Sequence, residues 1–70
     1  MFWERFSEEC ALMNKKPNRV ARELGISSGT VTGWKNGALP KPKILSKIAS
    51  YFNVSVDYLL GKTDIKEKPA

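Results

Sequence analysis

The sequence predicts an all-α fold, a compact bundle of five short helices. Two observations carry this expectation. Apolar residues recur at spacings of three and four, with no stretch of strict alternation that would suggest a strand. Glycines, prolines and an Asn-Gly pair fall where those apolar sets begin and end, as helix starts and stops do. Seventy residues make one domain, near the lower size limit for a core that folds without disulfides or metal.

The elements follow in order. Phe2, Phe6, Cys10 and Met13 recur at steps of four, four and three, so a first helix over about 2–13 carries one apolar face. It stops near Asn14-Lys15-Lys16-Pro17. Pro17 suits the first turn of a second helix, with Val20, Ala21 and Leu24 as its apolar set and Gly25 as its stop. Ser27 is a natural N-cap whose hydroxyl accepts from the N–H of Thr30. A third helix then spans about 28–35, with Val31 and Trp34 inward and Asn36-Gly37 at its end. Ala38 to Lys43 form a rigid basic connector, since each proline restricts itself and its predecessor. A fourth helix starts near Pro42 and buries Leu45, Ile48, Ala49 and Phe52. Ser55 caps a last helix, Val56 to Leu60, whose Leu59 and Leu60 close the core before Gly61. Residues 1–62 therefore read as one domain and 63–70 as a flexible tail with little to bury.

The join between the second and third helices is the informative one. Only Gly25, Ile26 and Ser27 separate them, and Gly25 supplies the left-handed conformation that a sharp turn requires. Two helices meeting so abruptly cross steeply, as in a helix-turn-helix.

The stretch "GISSGTVTGWKNG" places Gly25, Gly29, Gly33 and Gly37 at every fourth position. A phosphate loop needs GxxxxGK[ST] after a strand, and a GxxxG membrane pair needs an apolar segment around it; neither context is present. Gly25 and Gly37 are helix stops. Gly29 and Gly33, with Ser28 and Thr32, form the outward face of the third helix. Each interior glycine costs a helix about 1 kcal/mol relative to alanine. A face this small lets the backbone approach a partner closely, as when a helix enters the DNA major groove. The plainer alternative is a weak surface helix that happens to carry glycines.

The net charge of +5 is unevenly divided. Residues 1–14 carry −2 and residues 48–70 carry 0, which leaves +7 on residues 15–47. There Lys15, Lys16, Arg19, Arg22, Lys35, Lys41, Lys43 and Lys47 face a single acid, Glu23. Such concentration points to a polyanionic partner. The chain has no histidine and one cysteine, Cys10, which excludes an intramolecular disulfide, a His-based triad and a Cys/His metal site. No catalytic residue, metal or cofactor is therefore expected. The absence of a long apolar run and the acidic start "MFWERFSEEC" predict a cytoplasmic location with no membrane partner. Trp34 and Cys10 read as core, and the sequon Asn53-Val54-Ser55 as a chance match.

From Val20 to Gly61, the order "VARELGISSGTVTGWKNG", a proline, then "LSKIASYFNVSVDYLLG" resembles the helix-turn-helix domain of the phage lambda Cro/CI repressor family, also called XRE. The marks are the Leu24-Gly25 turn, the W-x-N-G end of the third helix, the proline after it and the closing V-S-V-D-Y-L-L-G. The resemblance implies a compact five-helix, lambda-repressor-like domain that binds double-stranded operator DNA, generally as a homodimer, and regulates transcription as a phage- or prophage-type repressor. By position, Ser28, Gly29, Thr32 and Gly33 are base-facing. Ser27, Lys16, Asn18, Asn36, Lys41 and Lys43 are phosphate-contacting, and Val56 and Tyr58 are dimer-interface candidates.

The chain departs from the family in three places. Pro17 has no N–H to offer a phosphate. The outward face lacks the Gln, Arg or Asn that make bidentate base contacts, so direct readout should be sparse. Affinity should then be largely electrostatic, and specificity largely a matter of DNA shape, with Arg19 or Arg22 as contributors. Cys10 and Lys35 replace the family's pair of a base and an acid, leaving apolar packing there or a reach of Lys35 to Glu9 or to a phosphate. A protein-interaction module on the same fold, an antitoxin or anti-repressor, is the alternative reading.

Overall fold

The first helix, α1 (Phe2–Leu12), begins the chain in a computed structural model that describes residues 1–68. It is followed by α2 (Pro17–Glu23), α3 (Ser28–Lys35), α4 (Pro42–Phe52) and α5 (Val56–Leu59), and no strand occurs among the described residues. Pro17 and Pro42 open their helices, where the missing N–H is no loss. Ser27 accepts from the N–H of Thr30 at 3.3 Å and Ser55 from that of Tyr58 at 3.0 Å, so both expected caps are made.

The turn of the helix-turn-helix is a Schellman closure. Gly25 takes φ +75°, its N–H donates to the carbonyl of Arg22 at 3.1 Å, and that of Ile26 donates to the carbonyl of Ala21 at 2.8 Å. Gly37, at φ +107°, ends α3 the same way, with N–H bonds from Gly37 to Trp34 and from Ala38 to Gly33 at 3.0 and 2.9 Å. Across the turn, Nζ of Lys47 on α4 donates to the carbonyl of Leu24 at 2.9 Å. The end of α2 is thereby tied to α4.

The core is aromatic at its centre. Phe6 is fully buried; its ring stacks with that of Phe2 at 5.6 Å and meets Trp34 of α3 and Phe52 of α4 edge-on at 5.5 and 5.9 Å. Edge-to-face and offset contacts are the favoured aromatic geometries. Val20, Ala21, Val31, Leu45, Ile48, Ala49 and Leu59 complete the core, with Phe52, Leu24 and Leu60 half-buried against it. Cys10 is fully buried, and burial pushes its thiol up to about 11, which suits a small apolar side chain rather than a nucleophile.

Two expectations need correction. Met13 is not part of the core: it is 41% exposed. α1 stops at Leu12, and Asn14 at φ +58° swings the chain away, closing the helix through Lys15 N–H to the Cys10 carbonyl at 3.0 Å. Leu60 lies one residue past α5, as its C-cap.

Residues 63–66, in the expected tail, bury no apolar side chain, and Ile65 is exposed. Their polar groups nevertheless meet α1 and the start of α5. Nη1 of Arg5 donates to the carbonyls of Thr63 at 2.6 Å and Tyr58 at 3.0 Å, and Nη2 to Asp64 at 2.8 Å. The N–H of Ser55 donates to the carbonyl of Lys66 at 2.7 Å. Residues 69 and 70 lie outside the described residues.

Candidate nucleic-acid interface

α3 is held from one side only. Val31 and Trp34 are buried, while Ser28, Gly29 and Thr32 are exposed and Gly33 is half-exposed. The four positions expected to face bases thus share one surface, although Gly33 turns partly toward the connector, where an added Cβ would lie 3.9 Å from that of Ala38. Hydroxyl chemistry on this face is already partly committed. The Thr32 hydroxyl donates back to the carbonyl of Ser28 at 3.1 Å, leaving its methyl and an acceptor outward. Thr30 is exposed, and its hydroxyl lies 2.9 Å from that of Ser27. The sequence singled out only the N–H of Thr30, because the pairing of its hydroxyl depends on the cap geometry.

Nothing within the protein explains Gly29. A Cβ built there meets no atom within 4 Å, so alanine would fit and would spare the helix about 1 kcal/mol. Gly29→Ala is therefore expected to raise the thermal midpoint by about 4–8 °C, read by circular dichroism, while weakening DNA binding in a parallel titration. An unchanged midpoint would show that α3's glycines do not limit its stability.

The basic residues separate into two groups. Lys15 and Arg19 approach Glu23 at 3.0 and 3.5 Å, and the Tyr51 hydroxyl donates to the same carboxylate at 2.8 Å. Hydrogen bonds from Lys15 and Tyr51 hold the Glu23 carboxyl below its ordinary range, and bonds to Tyr51 and Glu23 hold the Lys15 ammonium above its own. Lys47 is spent on the Leu24 carbonyl. Lys16, Arg22, Lys35, Lys41 and Lys43 are exposed and have no acidic partner among the described residues. Lys16 and Lys41 are the N-cap residues of α2 and α4. Asn18, Ser27 and Asn36 are also exposed, so every residue expected to touch phosphate is open to solvent. Of the two arginines proposed to read shape, Arg22 is unpaired and Arg19 is partly held by Glu23.

Of the alternatives at Cys10 and Lys35, Cys10 packs in the core and Lys35 does not reach Glu9. Glu9 is buried and its carboxylate has Nζ of Lys66 at 2.9 Å, an approach without hydrogen-bond alignment at that oxygen. Lys35 is left free. The dimer candidates separate as well. Val56 is half-buried on a groove with Ala49 and Val54, but Tyr58 is only 6% exposed. Its ring is covered by the Arg5 guanidinium at 4.3 Å and the Lys66 ammonium at 5.6 Å. Sequence reasoning missed this covering, since Arg5 lies 53 residues from Tyr58.

Among the described residues no cluster could hold a metal ion, and no helix is long and apolar enough to cross a membrane. A tight Gly25 turn between two short helices, the second anchored by one face and open on the other beside unpaired lysines, defines a helix-turn-helix DNA-binding domain. The chain matches the family described as Helix-turn-helix over residues 9–59 and belongs to it, within the XRE or Cro/CI type. It is accordingly a DNA-binding regulator of that class. No curated protein and no solved structure matches the chain.

Proposed function

We propose that the protein is a sequence-specific transcriptional repressor of the phage or prophage type, acting in the cytoplasm as a homodimer on operator DNA. In this reading α3 enters the major groove with Ser28, Gly29, Thr32 and Gly33 toward the bases. Ser27, Lys16, Asn18, Asn36, Lys41 and Lys43 hold the flanking phosphates, and α5 meets its symmetry mate through Val56. The observation that carries the reading is the outward face of α3, small and uncovered beside exposed lysines that have no acidic partner among the described residues. Phosphate contacts position such a domain and base contacts specify its site. With few donors on α3, shape readout carries a larger share here.

A labelled random-sequence duplex, titrated by fluorescence anisotropy at several salt concentrations, tests the reading. Non-specific binding in the range of about 10⁻⁴ to 10⁻⁶ M, with a log–log salt slope of about −4 or steeper, is expected where several phosphates are neutralised together. No binding at low salt would turn the function toward a protein partner, as in an antitoxin or anti-repressor. The sparse hydroxyl face of α3 is the observation that favours this second reading.

A further inference from the structure

Leu39 is 63% exposed on a connector too short and too proline-bound to bury it. It lines a groove with Ile26, Ile44 and Pro40, which Ser27 at the cap of α3 and Lys41 at the cap of α4 also line. An exposed leucine between polar and cationic groups gains nothing from water, and nothing in the protein covers it.

The occupant that fits is a nucleic-acid strand. A DNA backbone alternates an anionic phosphate with the largely apolar face of a deoxyribose, and the groove brings a hydroxyl, an exposed leucine and an ammonium to one surface. We infer that Leu39 is a DNA-binding residue that packs against a deoxyribose of the strand whose phosphates lie on Ser27 and Lys41. The inference rests on the proposed DNA-binding reading and adds to it an apolar, salt-independent component at the connector. Counterion release sets the salt slope through the cations alone, whereas burial of a leucine against a sugar is indifferent to salt.

The two components separate experimentally. Leu39→Ala and Lys41→Ala are each titrated with the same duplex across a salt series, with circular dichroism melting as a folding control. Leu39→Ala is expected to weaken binding about three- to tenfold at every salt concentration, consistent with loss of a partly buried aliphatic side chain. Its log–log line should run parallel to that of the parent. Lys41→Ala should instead flatten the slope by about 0.9, the value of one phosphate contact. Leu39→Met, which keeps the apolar surface, should bind within about twofold of the parent. An unaltered Leu39→Ala alongside a flattened Lys41→Ala overturns the role of Leu39 and leaves the DNA reading standing. If neither variant differs from the parent, the reading of the connector as a DNA contact falls with it.

Discussion

Replacing Lys41 and Lys43 together by alanine should weaken DNA binding about 30-fold at about 0.15 M salt and flatten the log–log salt dependence by about 1.8, the effect expected from two lost phosphate contacts. Both side chains are exposed and neither has an acidic partner among the described residues, so the substitutions leave the contacts described here intact. The melting midpoint should stay where it was, which separates this variant from one that merely unfolds. The loss should shrink steadily as salt is raised, because the cations act by releasing condensed counterions. Unchanged affinity and slope would show that the connector does not face the phosphates, and the electrostatic account of binding would fail.

Phe6→Ala should have the largest effect on stability. Phe6 is fully buried, and its ring lies within 6 Å of those of Phe2, Trp3, Trp34 and Phe52. Truncating a buried phenylalanine costs about 3–5 kcal/mol. At about 0.05–0.15 kcal/mol per residue, a domain of 70 residues has about 3.5–10.5 kcal/mol in all, so this loss is a large share of it. The thermal midpoint should fall by about 12 °C or more, and much of the population should be unfolded at 37 °C. Because Trp34 is one of only two side chains that anchor α3, DNA binding should disappear with the helical signal. Phe6→Leu, which retains most of the volume, should cost distinctly less. A midpoint for Phe6→Ala within a few degrees of the parent would mean that the aromatic cluster is not the keystone of the core.

The architecture was legible because its determinants are local. Pro17, Pro42, Ser27 and Ser55 mark helix starts through interactions within three residues, and Gly25 and Gly37 mark stops through a backbone conformation that glycine adopts freely. The inward faces followed from spacing alone at Phe2, Phe6, Val31, Trp34 and Ile48. Met13 defeated that rule because a helix end decides whether the next matching position still points inward. Tyr58 and Glu9 defeated it for another reason. They are covered by Arg5 and Lys66 through contacts that span some 50 residues of chain, and no window of sequence contains both partners. The candidate DNA face was legible as a charge excess and a run of small residues. Which lysines are free to use, however, depends on where Glu23, Tyr51 and the Leu24 carbonyl fall in space.

Arg5 joins the second turn of α1 to the carbonyls of Tyr58 and Thr63 and to Asp64, so contacts from one end of the domain to the other close the fold. Most other pairings here are between neighbours in the chain, and local contacts form quickly, whereas an end-to-end closure must first overcome the entropy of bringing distant residues together. A nascent chain that has emerged only through α4 has α1, α2 and α3 available but lacks Leu59, a fully buried core residue, and the carbonyls that receive Arg5. Until those residues emerge, Arg5 of α1 lacks its acceptors and the core lacks the side chain that closes it. The closing step of the fold is therefore the return of α5 and residues 63–64 to α1.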